Sequence, residues 1–318
     1  MSWLRRWWPT VLFFVVLAAT PLWLHDGYLL QLIFRVVVFA VLGMAWNFIG
    51  GYAGQLSLGH VAYFGIGAYA MTLSVEKIGW SPWLGVLLGA VLAALMALII
   101  GSITFRLRGP YFTLSTIAAA EIIRVLVQNQ DEFTHGAVGA NAPLLFKAPN
   151  LDAKFFVGAI PLLAAAFVLS EWIHNSRFGY RLRAIRENEN TAMAVGVNPA
   201  VDKLLALLPS AVFTALAGSI YASYFSFVGP DTVLSIEISV QAALIAMLGG
   251  AATVWGPILG SVVLTLTSEI FKTYFEHTHL VVYGLLLIVV VVFVPGGLIS
   301  LFQRRWFRRT AGPVGAQQ

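Results

Sequence analysis

The sequence predicts an all-α fold, a polytopic helical bundle embedded in a lipid membrane, with residues 1–318 forming a single transmembrane domain. Apolar residues make up 59% of the chain and charged residues only 10%, and the mean hydropathy is +0.84. Apolar runs of roughly 17 residues or more recur from end to end, close to the length that a helix needs to cross a hydrocarbon core. Polar stretches stay below about 30 residues, so a separate water-soluble domain has no room.

Composition also excludes several kinds of chemistry. The chain has no cysteine, which removes disulfides, thiol catalysis and thiolate metal sites. The isoelectric point near 9.6 does not indicate nucleic-acid binding, because the basic residues cluster at the ends of apolar spans and not on a soluble face. We therefore expect no nucleic-acid partner, no metal site and no catalytic residue in this chain.

About ten candidate spans follow one another, each long enough at about 1.5 Å per residue to cross, or nearly cross, a hydrocarbon core of roughly 30 Å. They are residues 8–24, 29–48, 57–74, 83–105, 110–128, 154–175, 203–226, 232–249, 255–275 and 280–301. The third, fifth and eighth contain polar residues or glycines, which predicts partly broken or re-entrant helices. The first follows two arginines, as a signal peptide does, but Pro21 and the span directly after it predict an uncleaved helix.

Local signals place the starts of two of these helices. Ser81 precedes Pro82, and Asn198 precedes Pro199. In both pairs a capping side chain comes before a proline at the first helical position, where the missing N–H costs nothing. Helices are therefore predicted to begin at both prolines.

The distribution of basic residues predicts that both chain termini are cytoplasmic. With a cytoplasmic amino terminus, thirteen of the 19 Lys and Arg residues lie in inside segments or at the span ends that border them, three lie outside and three lie within spans. The thirteen are Arg5, Arg6, Arg106, Arg108, Arg177, Arg181, Arg183, Arg186, Lys203, Arg304, Arg305, Arg308 and Arg309, and the outer three are Lys77, Lys147 and Lys154. This asymmetry follows the positive-inside rule. It predicts a cytoplasmic loop at residues 176–200 and an outer loop at residues 129–153.

The segment of residues 176–200, SRFGYRLRAIRENENTAMAVGVNPA, is far more polar than the rest of the chain. Phe178, Leu182 and Ile185 would form a narrow apolar stripe on a short helix, with three arginines on the rest of its surface. Such a helix can lie on anionic lipid, or it can dock onto a partner protein. The residues of the helix alone leave both interpretations open.

The continuation of this segment resembles the cytoplasmic EAA loop of ABC importer permeases. The consensus of that loop is Glu-Ala-Ala, three residues, Gly, nine residues, Ile-x-Leu-Pro. Here residues 190–192 read Asn-Thr-Ala, Gly196 follows three residues later, and residues 206–209 read Ala-Leu-Leu-Pro. The resemblance implies a short coupling helix that sits in a cleft of an ATPase subunit. The residues that it assigns to coupling are Arg181, Arg183, Arg186, Glu187, Glu189, Ala192, Gly196 and Pro209.

Further motifs, across roughly residues 30–300, resemble in order and spacing the LivM-type permease of branched-chain amino acid ABC importers. They are GYAGQLSLGH at 51–60, FGIGAY at 64–69, RLRGPYF at 106–112, AEIIR at 120–124, SRFGYRLRAIRENE at 176–189, LSIEI at 234–238, LGGAATVWGPILG at 248–260 and VPGGL at 294–298. One departure is THGAVG at 134–139, where the family usually has Thr-Gly-Gly-x-x-Gly in its large outer loop. It leaves the exact substrate open.

The resemblance implies a multi-pass protein of the bacterial inner membrane that works within a heteromeric importer. The implied partners are a second homologous permease, two cytoplasmic ATPase subunits and an extracytoplasmic substrate-binding protein. The sequence contains no GxxxxGK[ST] motif, so ATP and Mg would be bound by the ATPase partner and no cofactor by this chain.

Polar residues in or beside the spans are the candidates for a substrate pathway: Gln55, Ser57, His60, Glu121, Arg124, Glu237 and Gln241. Ser57 and His60 share a helical face if the third span has begun at Ser57. There they would satisfy the backbone of a broken helix or, in a less favoured interpretation, serve an intramembrane hydrolase. Glu121 and Arg124 are three residues apart and are expected to pair, because a lone charge in lipid is costly. Arg35 lies close enough to the end of its span for its side chain to reach the membrane surface, so we assign no function to it.

The main hypothesis is an ABC importer permease that moves branched-chain amino acids by alternating access. ATP binding would close the partner ATPase dimer, and residues 181–196 would transmit that movement to the bundle. The alternative is an autonomous proton-coupled secondary transporter or channel that uses Glu121 and Glu237. An intramembrane hydrolase is the third interpretation, and it requires Ser57 for all activity.

Overall fold

The computed structural model describes residues 2–24, 26–146, 150–274 and 297–300, without the side chains of residues 2–7, 9 and 272–274. In this part of the chain the helices are α1 (Ser2–Trp23), α2 (Gly27–Ile49), α3 (His60–Ile78), α4 (Pro82–Thr104), α5 (Pro110–Gln128), α6 (Asp131–Thr134), α7 (Leu151–Asn175), α8 (Arg177–Glu187), α9 (Glu189–Ala194), α10 (Pro199–Phe225), α11 (Pro230–Val233), α12 (Ile236–Gly249) and α13 (Gly256–Tyr274). Residues 297–300 are also helical.

Within these described ranges, six stretches are long and apolar enough to cross a membrane: α2, α4, α5, α7, α10 and the stretch from Pro230 to Gly249. Shorter apolar helices cover Thr10–Trp23 and Gly256–Phe271. The chain is therefore a polytopic helical membrane protein, as its composition predicts.

Seven predicted spans agree with α2, α3, α4, α5, α7, α10 and α13 to within four residues at each end. The two helix starts predicted from capping residues are also confirmed. Ser81 Oγ accepts a hydrogen bond from the Leu84 backbone N–H at 3.4 Å, and Asn198 Oδ1 accepts one from Val201 at 3.3 Å. The first and ninth spans correspond to α1 and α13. Of the tenth, residues 280–301, all but 297–300 lie outside the described residues.

The prediction of broken helices is right for the eighth span and wrong for the third and fifth. The eighth divides at residues 234–235 into α11 and α12, whereas α3 and α5 are continuous. The glycines of α3 permit close packing and do not break the helix. A Cβ at Gly67 would overlap the carbonyl oxygen of Ala215 in α10, and one at Gly65 would overlap the side chain of Leu234.

The predicted outer loop, residues 129–153, is shorter in the structure, because α7 begins at Leu151. The loop contains the single turn α6, and an antiparallel bridge pairs Ala140 with Val228, just after α10. Residues 147–149 lie outside the described part of the chain. The bridge holds the loop against the end of α10.

At the centre of the bundle, α10 packs against α2, α3 and α4. The approach of α10 to α3 is close at two glycines. A Cβ at Gly218 of α10 would overlap the carbonyl oxygen of Phe64, and a Cβ at Gly67 of α3 would overlap that of Ala215. The two backbones therefore touch without side chains between them. Small residues allow this kind of association, which is common where lipid provides no hydrophobic driving force between helices.

An ion pair joins α2 to α13. Arg35 Nη1 lies 3.3 Å from Oε2 of Glu269, and the Tyr28 hydroxyl donates a hydrogen bond to Oε1 of the same carboxylate at 3.0 Å. The Arg35 guanidinium also lies 5.6 Å from the ring centroid of Phe225. Arg35, to which the sequence assigns no function, thus connects two helices through its charge.

Candidate functional site

The charged segment, residues 176–200, folds into α8 and α9 ahead of α10. Ser176 Oγ and Asn188 Oδ1 cap the two helices, each accepting a hydrogen bond at 3.1 Å from the backbone N–H three residues on. The turn after α9 contains Gly196, whose φ of +85° lies in the left-handed region that glycine adopts at little cost. The apolar stripe predicted for α8 faces the bundle. The shape of the segment is thus fixed by its own sequence.

Two arginines on α8 bind to backbone carbonyl groups of the bundle. Arg183 Nη2 donates to the carbonyl oxygen of His174, in the last turn of α7, at 2.9 Å. Arg186 Nη1 donates to the carbonyl oxygen of Gly51 at 3.0 Å. These bonds hold α8 against α7 and against the loop that follows α2.

Two ion pairs join the first turn of α10 to α8 and α9. Arg181 binds Asp202 through two hydrogen bonds, Nε to Oδ2 at 2.9 Å and Nη2 to Oδ1 at 2.8 Å. The Lys203 ammonium lies 2.8 Å from Oε2 of Glu189. The pKa of the Arg181 guanidinium is raised, chiefly by its hydrogen bonds to Asp202, so this pair is not weakened by loss of the arginine proton near neutral pH. The three helices therefore form one connected unit.

The pair of Lys203 and Glu189 should respond unequally to loss of its two members. The Lys203 side chain is 1% exposed and that of Glu189 is 21% exposed. Removing Glu189 leaves a buried ammonium without its partner, which costs about 3 kcal/mol. Removing Lys203 leaves a carboxylate that water can reach, which costs about 1 kcal/mol.

We therefore expect Glu189→Ala to lower the thermal unfolding temperature in detergent more than Lys203→Met does, because methionine also keeps much of the apolar packing of the lysine stem. Tryptophan fluorescence on heating would measure both variants. Equal shifts, or a larger shift for Lys203→Met, would contradict the asymmetric burial of the pair.

α9, the turn after it and the start of α10 expose three large apolar side chains. Val195 is 75% exposed, and Met193 and Val201 are also exposed. Other residues that the sequence assigned to coupling lie elsewhere: Ala192 is buried, and Pro209 lies inside α10, away from the segment. The exposed apolar side chains are the better candidates for a contact with another protein.

A second feature is the irregular segment of residues 51–59, between α2 and α3. Side chains of neighbouring helices satisfy its backbone groups. Trp46 Nε1 donates to the carbonyl oxygen of Ser57 at 2.7 Å, the Thr113 hydroxyl donates to that of Leu56 at 2.7 Å, and the Thr116 hydroxyl accepts from the N–H of Leu58 at 3.2 Å. Irregular backbone inside a membrane bundle requires this kind of compensation.

The polar cluster predicted at the start of the third span is arranged differently from the prediction. Because α3 begins at His60, Ser57 precedes the helix, and the two side chains do not share a helical face. His60 Nε2 lies 2.7 Å from Oγ of Ser210 on α10, and the Ser210 hydroxyl donates to the carbonyl oxygen of Ala45 on α2 at 2.6 Å. His60 thus joins three helices.

This geometry does not suit a hydrolase. A serine hydroxyl has one proton, and that of Ser210 is already bound to a carbonyl oxygen, so His60 Nε2 must act as the donor and not as the base. Both side chains are fully buried. Ser210 also lies eleven residues into α10, roughly 16 Å from the start of that helix, so the pair is part of the interior packing.

Glu121 and Arg124 pair as predicted, and two further side chains join them. Arg124 contacts both carboxylate oxygens of Glu121, through Nη2 to Oε1 at 2.7 Å and Nε to Oε2 at 3.0 Å. Its Nη1 donates to Oδ1 of Asp231 on α11 at 3.1 Å, and Gln128 Nε2 donates to the same oxygen at 3.3 Å. The cluster connects α5 to α11 and contains one cation between two anions.

The α5 face that carries this cluster contacts Asp231 of α11 and is otherwise largely uncovered within the described residues. Glu121 is 51% exposed and shares this face with the exposed Leu114 and Val125. The uncovered face of α4, by contrast, presents a row of large apolar side chains with no charge, as a helix facing lipid does. Because an uncovered charge in lipid is costly, the α5 face is better suited to water or to another protein.

The remaining pathway candidates are not brought together. Glu237 is exposed in the first turn of α12, where Ser235 caps its backbone N–H at 3.4 Å. Gln241, one turn further along, and Gln55, in the irregular segment, are each half-buried. None of the three is hydrogen-bonded to Glu121 or His60, so the described part of the structure forms no common polar site from them. Across the described ranges, no group of three or more His, Asp or Glu side chains is placed to hold a metal ion.

Sequence reasoning missed Asp202, Thr113, Thr116 and Asp231. The sequence contains a signal that could have identified Asp202. This residue lies in the first turn of a predicted helix, just after a segment with an excess of arginine. The two threonines are three residues apart on α5, which places them on one face. Nothing in the sequence, however, indicates that this face meets an irregular backbone.

Residues 28–291 match the model of a protein family described as "Branched-chain amino acid transport system / permease component". The high-affinity branched-chain amino acid transport system permease protein LivM of Escherichia coli (strain K12) is 27% identical over 310 residues, covering 88% of this chain and 72% of that protein. LivM of Salmonella typhimurium is 28% identical over 294 residues, covering 83% and 68%. The permease protein LivH of Escherichia coli (strain K12) is 24% identical over 300 residues, covering 86% and 96%.

Proposed function

Because the chain belongs to the family of branched-chain amino acid transport permease components, we propose that it is a membrane-spanning subunit of an ATP-driven importer of these amino acids. Besides family membership, the charged segment supports a role as an importer subunit. Two ion pairs connect this segment to α10, and it presents exposed apolar side chains. A carrier that works alone has no need of such a segment. The chain itself performs no covalent chemistry.

The proposed assembly contains a second homologous permease, two cytoplasmic ATPase subunits and an extracytoplasmic substrate-binding protein. The similarity to both LivM and LivH proteins supports a pair of related permeases. ATP and Mg would act in the ATPase subunits. The lack of a phosphate-binding motif in the sequence agrees with this division of labour.

We propose a single membrane domain of about ten spans in the bacterial inner membrane, with both termini in the cytoplasm. The excess of basic residues at one set of span ends supports this orientation. It places the charged segment on the cytoplasmic side, where the ATPases lie, and α6 with the bridge to Val228 on the outside.

In the proposed mechanism, ATP binding closes the ATPase dimer and moves the charged segment through Val195 and its exposed neighbours. The ion pairs of Arg181 and Lys203 pass that movement to the first turn of α10. The bundle then alternates between outward and inward openings. The uncovered face of α5 is the proposed pathway surface, because the cluster at Arg124 offers both signs of charge to a zwitterionic amino acid.

The autonomous proton-coupled transporter has less support. A proton-coupling carboxylate has to exchange its proton during transport, and Glu121 is held by both of its oxygens against Arg124. Glu237, the other carboxylate of that hypothesis, is on a different helix and is not hydrogen-bonded to this cluster.

Affinity purification of the tagged chain from its native membrane tests the proposal. We expect an ATPase with a Walker motif to co-purify with the wild type and to be lost from Val195→Glu, because a buried unpaired carboxylate prevents an apolar contact. Val138→Glu is the matched control, since Val138 is 82% exposed in the proposed outer loop. If Val195→Glu retains the ATPase, or if the wild type has none, the charged segment does not have this function.

A further inference from the structure

The irregular segment of residues 51–59 is held at one end by α8 and further along by α5. At the α8 end, Arg186 donates to the carbonyl oxygen of Gly51, and a Cβ at Gly54 would lie 2.7 Å from Cγ of Arg186. At the α5 end, Thr113 and Thr116 bind the backbone of Leu56 and Leu58. The segment thus bridges the charged segment and the helix that carries the Glu121 cluster.

The contacts on the α5 side are close. A Cβ at Gly59 would lie 3.0 Å from the carbonyl oxygen of Thr116 and 3.1 Å from its Cβ. The hydroxyl groups of Thr113 and Thr116 therefore form hydrogen bonds with a backbone segment that also contacts α5 directly. Any displacement of residues 56–59 along α5 would break both hydrogen bonds unless α5 moves with them.

The rest of α5 is weakly attached to the described bundle. Only Phe112, Thr116 and Ala120 are buried on it, whereas α2 and α10 are buried along most of their length. The irregular segment, in turn, is bound on its other side by Trp46 of α2. A helix with so few buried residues is positioned by a small number of contacts. These include the hydrogen bonds of Thr113 and Thr116 to the irregular segment and those of Arg124 and Gln128 to Asp231 of α11.

We propose that Thr113, Thr116 and Arg186 are positioning residues, which link movement of the charged segment through residues 51–59 to the pathway face of α5. This inference rests on the proposed function and adds to it the path by which movement of the charged segment reaches α5 inside this subunit. Thr116 and Glu121 are five residues apart on a continuous helix, so a shift at the threonines reaches the charged cluster directly. The route is separate from the ion pairs that join the segment to α10.

Spin-label distances in the reconstituted transporter, containing all its subunits, test the proposal. This chain has no cysteine, so it adds no background labelling of its own, and any cysteines of the partner subunits are replaced before labelling. One pair joins Ala118 on α5 to Leu95 on α4 and reports on α5, and a second pair joins Arg177 on α8 to Leu95 and reports on the charged segment. Each pair is measured without nucleotide and with ATP and vanadate.

The variants are Thr113→Val with Thr116→Val, which remove both hydroxyl groups at nearly constant volume, and Thr113→Ser with Thr116→Ser, which keep them. In the wild type and the serine variant we expect both distances to shift with nucleotide. In the valine variant we expect the α8 distance to shift as before and the α5 shift to be lost. A merely structural role of the threonines would not separate the two distances.

A full α5 shift in the valine variant would overturn the proposal. If that variant does not fold, Arg186→Leu serves instead, because it removes the contact between α8 and residues 51–59. We expect this variant to lose the α5 shift as well. A retained α5 shift would overturn the proposal. Co-purification of the ATPase is checked in every sample. Its absence from the wild type would refute the proposed function, and this inference with it, whereas its presence without the expected loss refutes the inference alone.

Discussion

Gly67→Leu is expected to yield no folded protein. A Cβ at Gly67 would overlap the backbone carbonyl oxygen of Ala215, and backbone in a central helix cannot rotate away as a side chain can. Overpacking of a core costs about 1–3 kcal/mol when side chains can adjust, and here α3 and α10 would have to separate along their contact. Size-exclusion chromatography of a fluorescent fusion in detergent would show aggregate in place of a monodisperse peak.

Gly79→Asn is the matched control. Gly79 ends α3 with a φ of +75°, and no atom lies within 4 Å of an added Cβ. Asparagine is among the residues that tolerate this left-handed conformation, so we expect a monodisperse peak. A folded Gly67→Leu variant would mean that α3 and α10 do not approach as closely as the structure shows.

Arg124→Gln is expected to lower leucine uptake by up to about tenfold. The substitution removes the hydrogen bonds to both Glu121 and Asp231, whose side chains are 51% and 77% exposed, so each is worth about 1 kcal/mol or less, and about 1.4 kcal/mol corresponds to a tenfold change in rate. It also leaves two carboxylates near each other without the cation between them. Uptake of radiolabelled leucine into vesicles containing the assembled transporter would measure the loss.

Two further variants separate the geometry of the cluster from its charge. Arg124→Lys keeps the charge but not the planar set of donors that reaches two carboxylates at once, so we expect partial recovery. Adding Asp231→Asn to Arg124→Gln removes one of the two carboxylates and so restores the net charge of the wild-type cluster, so we expect uptake above that of the single variant. Unchanged uptake in Arg124→Gln, with normal assembly, would exclude the cluster from the pathway.

Much of the fold follows from signals that lie within a few residues of one another. The capping residues Ser81 and Asn198 identify the starts of α4 and α10, and the spacing of Glu121 and Arg124 predicts their pairing. The amphipathic pattern of residues 177–187 gives α8. In each case the interaction that forms the element is local, so a single sequence contains the information.

The features that the sequence did not predict depend on distant partners. His60 was expected to act with Ser57, its near neighbour, but its partner is Ser210 on another helix. The third span was predicted to be partly broken, because the sequence does not show that α10 and Leu234 fill the space beside Gly67 and Gly65. Likewise Lys203 was counted at the cytoplasmic end of a span, and nothing in the sequence indicates that it is buried and paired with Glu189.

The ion pair of Arg35 and Glu269 has a consequence for biogenesis. The two residues are separated by 234 positions, so α2 is synthesised and inserted long before α13 exists. During that interval the Arg35 guanidinium has no carboxylate from α13, and its insertion depends on snorkelling toward the end of a helix that is otherwise strongly apolar. Completion of α13 then supplies the counter-charge. This contact between α2 and α13 therefore forms only after the 234 positions that separate the two residues have been synthesised, and a chain truncated before Glu269 would leave Arg35 without this carboxylate.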